Sequence, residues 1–110
     1  MKDVRTWVEI DQSALRHNAE QFFTLAGPRT RLMAVIKSNA YGHGLIDFSR
    51  LAEKFGVDWF GVDSIVEAKS LRMAGIKNPV LVFVYTLQDK INDALNKNIS
   101  LTVADISTLK

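Results

Sequence analysis

Short apolar runs alternate with amphipathic stretches along this chain, and that alternation restricts the fold more than any other feature. Leu32–Lys37, Trp59–Asp63, Val80–Val84 and Leu101–Val103 are runs of strand length, the third being the richest in β-branched and aromatic residues. Helical patterns fill the intervals. Phe48, Leu51, Ala52 and Phe55 fall at i, i+3, i+4 and i+7, with Gly56 placed to stop the helix. Ser64 and Glu67 fit a capping box opening a helix that carries Ile65, Ala68 and Leu71 and ends at Gly75. Ile91, Ala94 and Leu95 mark another helix, ended near Asn98, and Asp105 suits the N-cap of one more. Upstream, Thr6–Ile10 alternates like a half-buried strand. Asp11 follows as an N-cap, and Leu15, Ala19, Phe22, Phe23 and Ala26 form a helix stopped by Gly27-Pro28.

Strand and helix therefore alternate four times after an N-terminal strand and helix. Such alternation predicts an α/β fold with a parallel sheet, either doubly wound or a barrel. The last strand is followed by only the beginning of a helix, which would leave a parallel edge exposed. The chain is accordingly expected to be part of a larger domain.

Composition removes several classes of function. The 110 residues suffice for one domain. A formal net charge of +2, with basic and acidic residues interspersed, offers no patch for nucleic acid or a membrane surface. With no cysteine there is no disulfide framework, thiolate metal site or cysteine nucleophile. His17 and His43 lie on different elements and make no metal site. Neither a signal peptide nor a membrane span is apparent, so a cytoplasmic location is expected.

The chemistry concentrates after the first of the four strands. Leu32-Met-Ala-Val-Ile reads as a strand buried on both faces, and it ends on Lys37. Ser38, Asn39, Tyr41, Gly42, His43 and Gly44 follow in a polar loop. Lys37 is either a surface lysine beyond a strand or, if desolvated, an amine suited to Schiff-base chemistry. Its place favours the second reading, because parallel α/β sheets and barrels carry their chemistry at the carboxyl ends of strands. Tyr41 is a phosphate ligand, a group that polarises Lys37 or a packed aromatic with a wet hydroxyl, and Gly42 and Gly44 allow close backbone approach or shape a turn. His43 is better read as orienting the loop than as an acid or base. Asp63 and Glu67 are better explained as a strand-end acid and a capping-box acid than as a catalytic pair.

The run Ala34-Val-Ile-Lys-Ser-Asn-Ala-Tyr-Gly-His-Gly44 closely resembles the cofactor-binding signature of the alanine racemases. The likeness extends over the chain, through Trp7–Asn18, Glu67-Ala68, Leu71-Arg72, Gly75-Ile76 and Ile99–Val103. It implies the N-terminal half of a (β/α)8 barrel. Residues 1–110 would then form part of that domain, and the C-terminal half-barrel and β-domain would be absent. It also implies pyridoxal 5'-phosphate as cofactor, alanine as substrate and a cytoplasmic homodimer serving cell-wall synthesis. Lys37 would form the internal aldimine and act as the base for the D-enantiomer, and Tyr41 would hydrogen-bond the cofactor phosphate. Phe83 would line the cofactor pocket, at a position where the family commonly has an aliphatic residue. The second base in this family is a tyrosine of the C-terminal domain reaching into the partner subunit's site, and Tyr85 stands in the wrong segment to replace it. Two alternatives go with this reading: a racemase of the same family acting on another amino acid such as serine, and an inactive half-barrel that self-associates.

Overall fold

The computed structural model describes residues 3–109. Helix α1, Gln12–Ala26, opens where the Asp11 carboxylate accepts hydrogen bonds from the Ser13 and Ala14 amides at 2.8 and 3.1 Å. Four strands follow: β1 (Met33–Val35), β2 (Trp59–Val62), β3 (Val80–Val82) and β4 (Ser100–Leu101). The helices after them are α2 (Leu45–Lys54), α3 (Ile65–Met73), α4 (Ile91–Asn96, entered through a 3₁₀ turn at Gln88–Lys90) and α5 (Ile106–Leu109).

All pairings are parallel and the strand order is β1-β2-β3-β4. A doubly wound sheet reverses its strand order at a switch point, and no reversal occurs here. Sequential order is that of a barrel wall. Val35, Gly61 and Leu81 share one register level, as do Ala34, Phe60 and Val80. The second set faces the helices. Phe60, Val62, Val80 and Val82 are buried there together with Ile36, Ala52, Ala68 and Leu71. Burying a Phe, Leu or Val side chain is worth about 1.5–3 kcal/mol, so this single layer dominates the stabilisation.

The opposite face is less covered, and this corrects the reading of 32–37 as a strand buried on both faces. Val35 is 43% exposed, and Met33, Trp59 and Leu81 are only partly buried. A barrel wall buries that face against the far side of the barrel, and four strands alone leave it open. The strand expected at Thr6–Ile10 does not form. The segment joins no strand of the sheet, Trp7 and Val8 are exposed, and Trp7 Nε1 donates locally to Glu9 Oε1 at 2.6 Å. Alternation marks a segment able to pair, but a strand also needs a neighbouring ladder. The third and fourth strands stop short of the ends of their apolar runs at Val84 and Val103. Among the described residues no helix is long and apolar enough to cross a membrane.

The amino end of the sheet is closed by one guanidinium. Arg72, in the last turn of α3, donates from Nη1 to the carbonyls of Ile76 and Asn78 at 2.8 and 2.9 Å. From Nε and Nη2 it donates to the carbonyls of Lys97 and Asn98, each at 2.9 Å. It thereby joins the loop before β3 to the loop before β4. Burial lowers its pKa from the ordinary arginine value, yet a guanidinium remains charged at neutral pH. Nearby, Lys69 Nζ donates to Asp93 Oδ2 at 2.9 Å, tying α3 to α4. That hydrogen bond and the charge of Lys69 hold the Asp93 carboxyl below its usual range.

Removing the Arg72 fork leaves four carbonyls without their donor, two of them in part-buried bonds. Arg72→Ala is expected to destabilise the chain by about 2 kcal/mol, read as a lower urea midpoint at unchanged m-value.

Candidate functional site

The segment after β1 is a left-handed turn rather than an irregular loop. Ser38, Asn39, Ala40 and Tyr41 have φ values of 52°, 56°, 54° and 54°. Left-handed backbone costs an L-residue roughly 1–2 kcal/mol, and only asparagine among these four adopts it readily. Local bonds offset that strain. The Ala40 amide donates to the Ile36 carbonyl at 2.9 Å, and the His43 and Gly44 amides donate to the Ala40 and Asn39 carbonyls, each at 3.0 Å. The Asn39 side chain accepts from the Leu45 amide at 2.8 Å and so caps the start of α2. Ala40, only 3% exposed, anchors the turn in the core.

His43 serves the same purpose. Its Nδ1 lies 2.8 Å from the Ala40 carbonyl, which can only accept, so the ring donates from Nδ1. The ring also packs against Phe48, with centroids 5.9 Å apart. Gly42 and Gly44 have φ of 91° and 92°, and a Cβ on either would meet nothing within 4 Å. They shape the turn and leave no room-limited approach to explain.

Lys37 enters this turn from the end of β1. Its side chain is 37% exposed, so it is not the desolvated lysine that a strand buried on both faces would carry. Nζ stands 3.9 Å from Asp63 Oδ2, whose side chain is 38% exposed. A pair this open to solvent is worth less than about 1 kcal/mol and leaves the amine available. Asp63 follows β2, and Phe83 follows β3 and donates its amide to the Val62 carbonyl at 2.8 Å. Since Val62 pairs with Val82, Asp63 and Phe83 come next at one level on the open face.

Phe83 occupies space that Gly61 vacates. A Cβ on Gly61 would lie 2.6 Å from Phe83 Cε2 and 3.1 Å from Met33 Sδ, so the ring lies over the glycine at the middle of β2. Tyr41 is 60% exposed at the end of the left-handed turn. Lys37 and Tyr41 thus belong to one turn, and Phe83 stands two strands away on the same open face.

Glu67 completes the arrangement. The capping box forms: Ser64 Oγ accepts from the Glu67 amide, and Glu67 Oε2 accepts from the Ser64 amide, both at 3.3 Å. Oε2 also accepts from the Asp63 amide at 2.9 Å, while Oε1 accepts from the Ser38 amide at 2.8 Å. The motif identifies the cap, but the bond to Ser38 spans 29 residues and has no local signature. Gly61 likewise carries no local signal for its part, because the Phe83 ring it accommodates becomes a neighbour only in the fold.

Four βα units in sequential parallel order, with a strained polar turn at the carboxyl end of the first strand, define the N-terminal half of a (β/α)8 barrel of the enzyme type. The family model for the alanine racemase N-terminal domain matches residues 10–110, and the chain belongs to that family. An alanine racemase of Desulforamulus reducens is 42% identical over 97 residues, which are 88% of this chain and 26% of that relative. The chain thus spans about a quarter of the length of that relative. The solved alanine racemase of Bacillus anthracis with bound L-Ala-P superposes with a TM-score of 0.90 at 33% identity, covering 94% of this chain and 27% of that one. A histidine racemase from Leuconostoc mesenteroides superposes with a TM-score of 0.82 at 28% identity, covering 89% of this chain and 26% of that one.

Two substitutions test this geometry. Ser38→Gly removes a left-handed side chain but keeps the amide that Glu67 holds, and should raise stability by about 1 kcal/mol in urea unfolding. Gly61→Ala puts a Cβ against the far end of the Phe83 ring, which has to swing aside over the open face, and should lower it by up to about 1 kcal/mol. Combining it with Phe83→Leu should recover part of that loss, as a double-mutant cycle would record.

Proposed function

We propose that this chain is the cofactor-carrying portion of a pyridoxal-phosphate-dependent alanine racemase. The observation that carries the reading is the family match across residues 10–110, which includes the Lys37 turn at the carboxyl end of the first barrel strand. In the proposed division, residues 1–110 belong to the first half of the barrel domain. A second half-barrel and a β-domain lie outside the chain.

The chemistry of the residues present suits that cofactor. Lys37 offers a solvent-reachable primary amine to an aldehyde, and Tyr41 on the same turn offers a phenol hydroxyl to a phosphate. When bound, pyridoxal phosphate acidifies the substrate Cα–H by delocalising the electron pair left behind. Lys37 would hold the cofactor covalently and move the Cα proton on one face, serving the D-enantiomer. Tyr41 would hold the phosphate, and Phe83 would line the cofactor pocket. The Lys37–Asp63 contact is loose enough to release the amine for this work.

Racemisation requires a second base on the opposite face, because a single lysine returns its proton to the side it came from. In this reading the second base comes from outside the chain, across the interface of a cytoplasmic homodimer. Alanine is the substrate that the names of the relatives support.

The test uses the chain itself. It is incubated with pyridoxal phosphate, reduced with borohydride and mapped by mass spectrometry. Lys37 is one of eight lysines, and its adduct is expected to exceed that at each of the other seven and to vanish in Lys37→Ala. The isolated chain should bind weakly and not racemise alanine. An adduct spread evenly over the lysines would refute the cofactor reading, and conversion of L- to D-alanine would refute the need for a second base from elsewhere.

A further inference from the structure

We infer that Glu67 is a positioning residue for Lys37, acting through the backbone amide of Ser38; the inference deepens the functional reading above and rests on it. Capping α3 occupies only part of the Glu67 carboxylate. Oε2 serves the Asp63 and Ser64 amides, at 2.9 and 3.3 Å, in front of the helix. Oε1 is left for the Ser38 amide, at 2.8 Å. Ser38 is the residue directly after Lys37 and the first of the four left-handed residues. The bond therefore fixes the place where β1 gives way to the strained turn, and with it the root of the Lys37 side chain.

The same carboxylate fixes the backbone of Asp63, whose own carboxylate is the ion-pair partner of Lys37. Glu67 thus sets the relative position of an amine and its counter-ion without touching either charged group. A carboxylate can do this because it accepts on both oxygens at once. Glutamine has one acceptor and presents an NH₂ on the other side. Its oxygen can retain the capping box, where glutamine is acceptable and two amides converge, but its NH₂ then faces the Ser38 N–H. Glu67→Gln therefore separates the cap from the tether. Ser64→Ala does the reverse: it removes the Ser64 hydroxyl from the cap and leaves the Ser38 bond intact.

The experiment measures backbone amide exchange by NMR on the 110-residue chain and its Glu67→Gln, Glu67→Ala and Ser64→Ala variants. Alongside it, the share of pyridoxal-phosphate adduct reaching Lys37 after borohydride reduction is recorded for each. Glu67→Gln should make the Ser38 amide exchange about tenfold faster, as the loss of a charge-assisted hydrogen bond implies. It should also lower the share of label at Lys37 while the other lysines keep theirs. Ser64→Ala should lower the urea midpoint but leave both readouts at their original values, which a purely structural effect of α3 on the site would not. If both Glu67 variants leave the Ser38 amide and the Lys37 share where Ser64→Ala leaves them, the assignment is wrong. Failure of the unsubstituted chain to label Lys37 counts against the cofactor reading instead, and the exchange of the Ser38 amide then decides on the tether alone.

Discussion

Left-handed backbone at Ser38, Asn39, Ala40 and Tyr41 is the constraint on which the rest of the site depends. No glycine lies among the four, so the local preference of the chain works against the conformation. It persists because neighbouring groups bind its first three residues. The core holds the Ala40 methyl, the Asn39 side chain holds the start of α2, and Glu67 holds the entry. Strain of this kind persists only where the surrounding structure over-determines it. Lys37 stands at the entrance of the turn and Tyr41 at its exit.

The fold around this turn is conventional in its physics. One face of a short parallel sheet buries Phe60, Val62, Val80 and Val82 under the helices, while the other remains open at Val35 and over the Phe83 ring. Both the B. anthracis alanine racemase and the L. mesenteroides histidine racemase share this backbone. A likeness of backbone accordingly defines the scaffold and does not by itself define a substrate.

Much of this was legible in the residues, for reasons that can be named. Asp11 as a cap, the Ser64–Glu67 box, Gly56 after α2 and the apolar strands are signals carried within a few positions, and each formed. The sequential order of the sheet, which selects a barrel over a doubly wound fold, is a long-range property that alternation alone left open. Thr6–Ile10 misled because alternation reports the capacity to pair and not the presence of a neighbour. The left-handed turn was hidden because Ser38, Ala40 and Tyr41 are poor candidates for it. Asn39 and Gly42 would suggest at most isolated left-handed positions. Lys37 stood out as a reactive candidate, but its partial exposure follows from the open sheet face and lay beyond any local pattern.

Helix α3 is tied at both ends by charged side chains of its own. Glu67 in its first turn grips the segments beside Lys37, and Arg72 in its last turn grips the loops at the amino end of the sheet. Nine residues of α-helix make a rod of about 13 Å. Clamped in this way, the helix works as a strut between the two rims of the wall. The segments at Ser38 and Asp63 on one rim and the loops at Ile76–Asn78 and Lys97–Asn98 on the other are therefore bonded to opposite ends of a single rigid element.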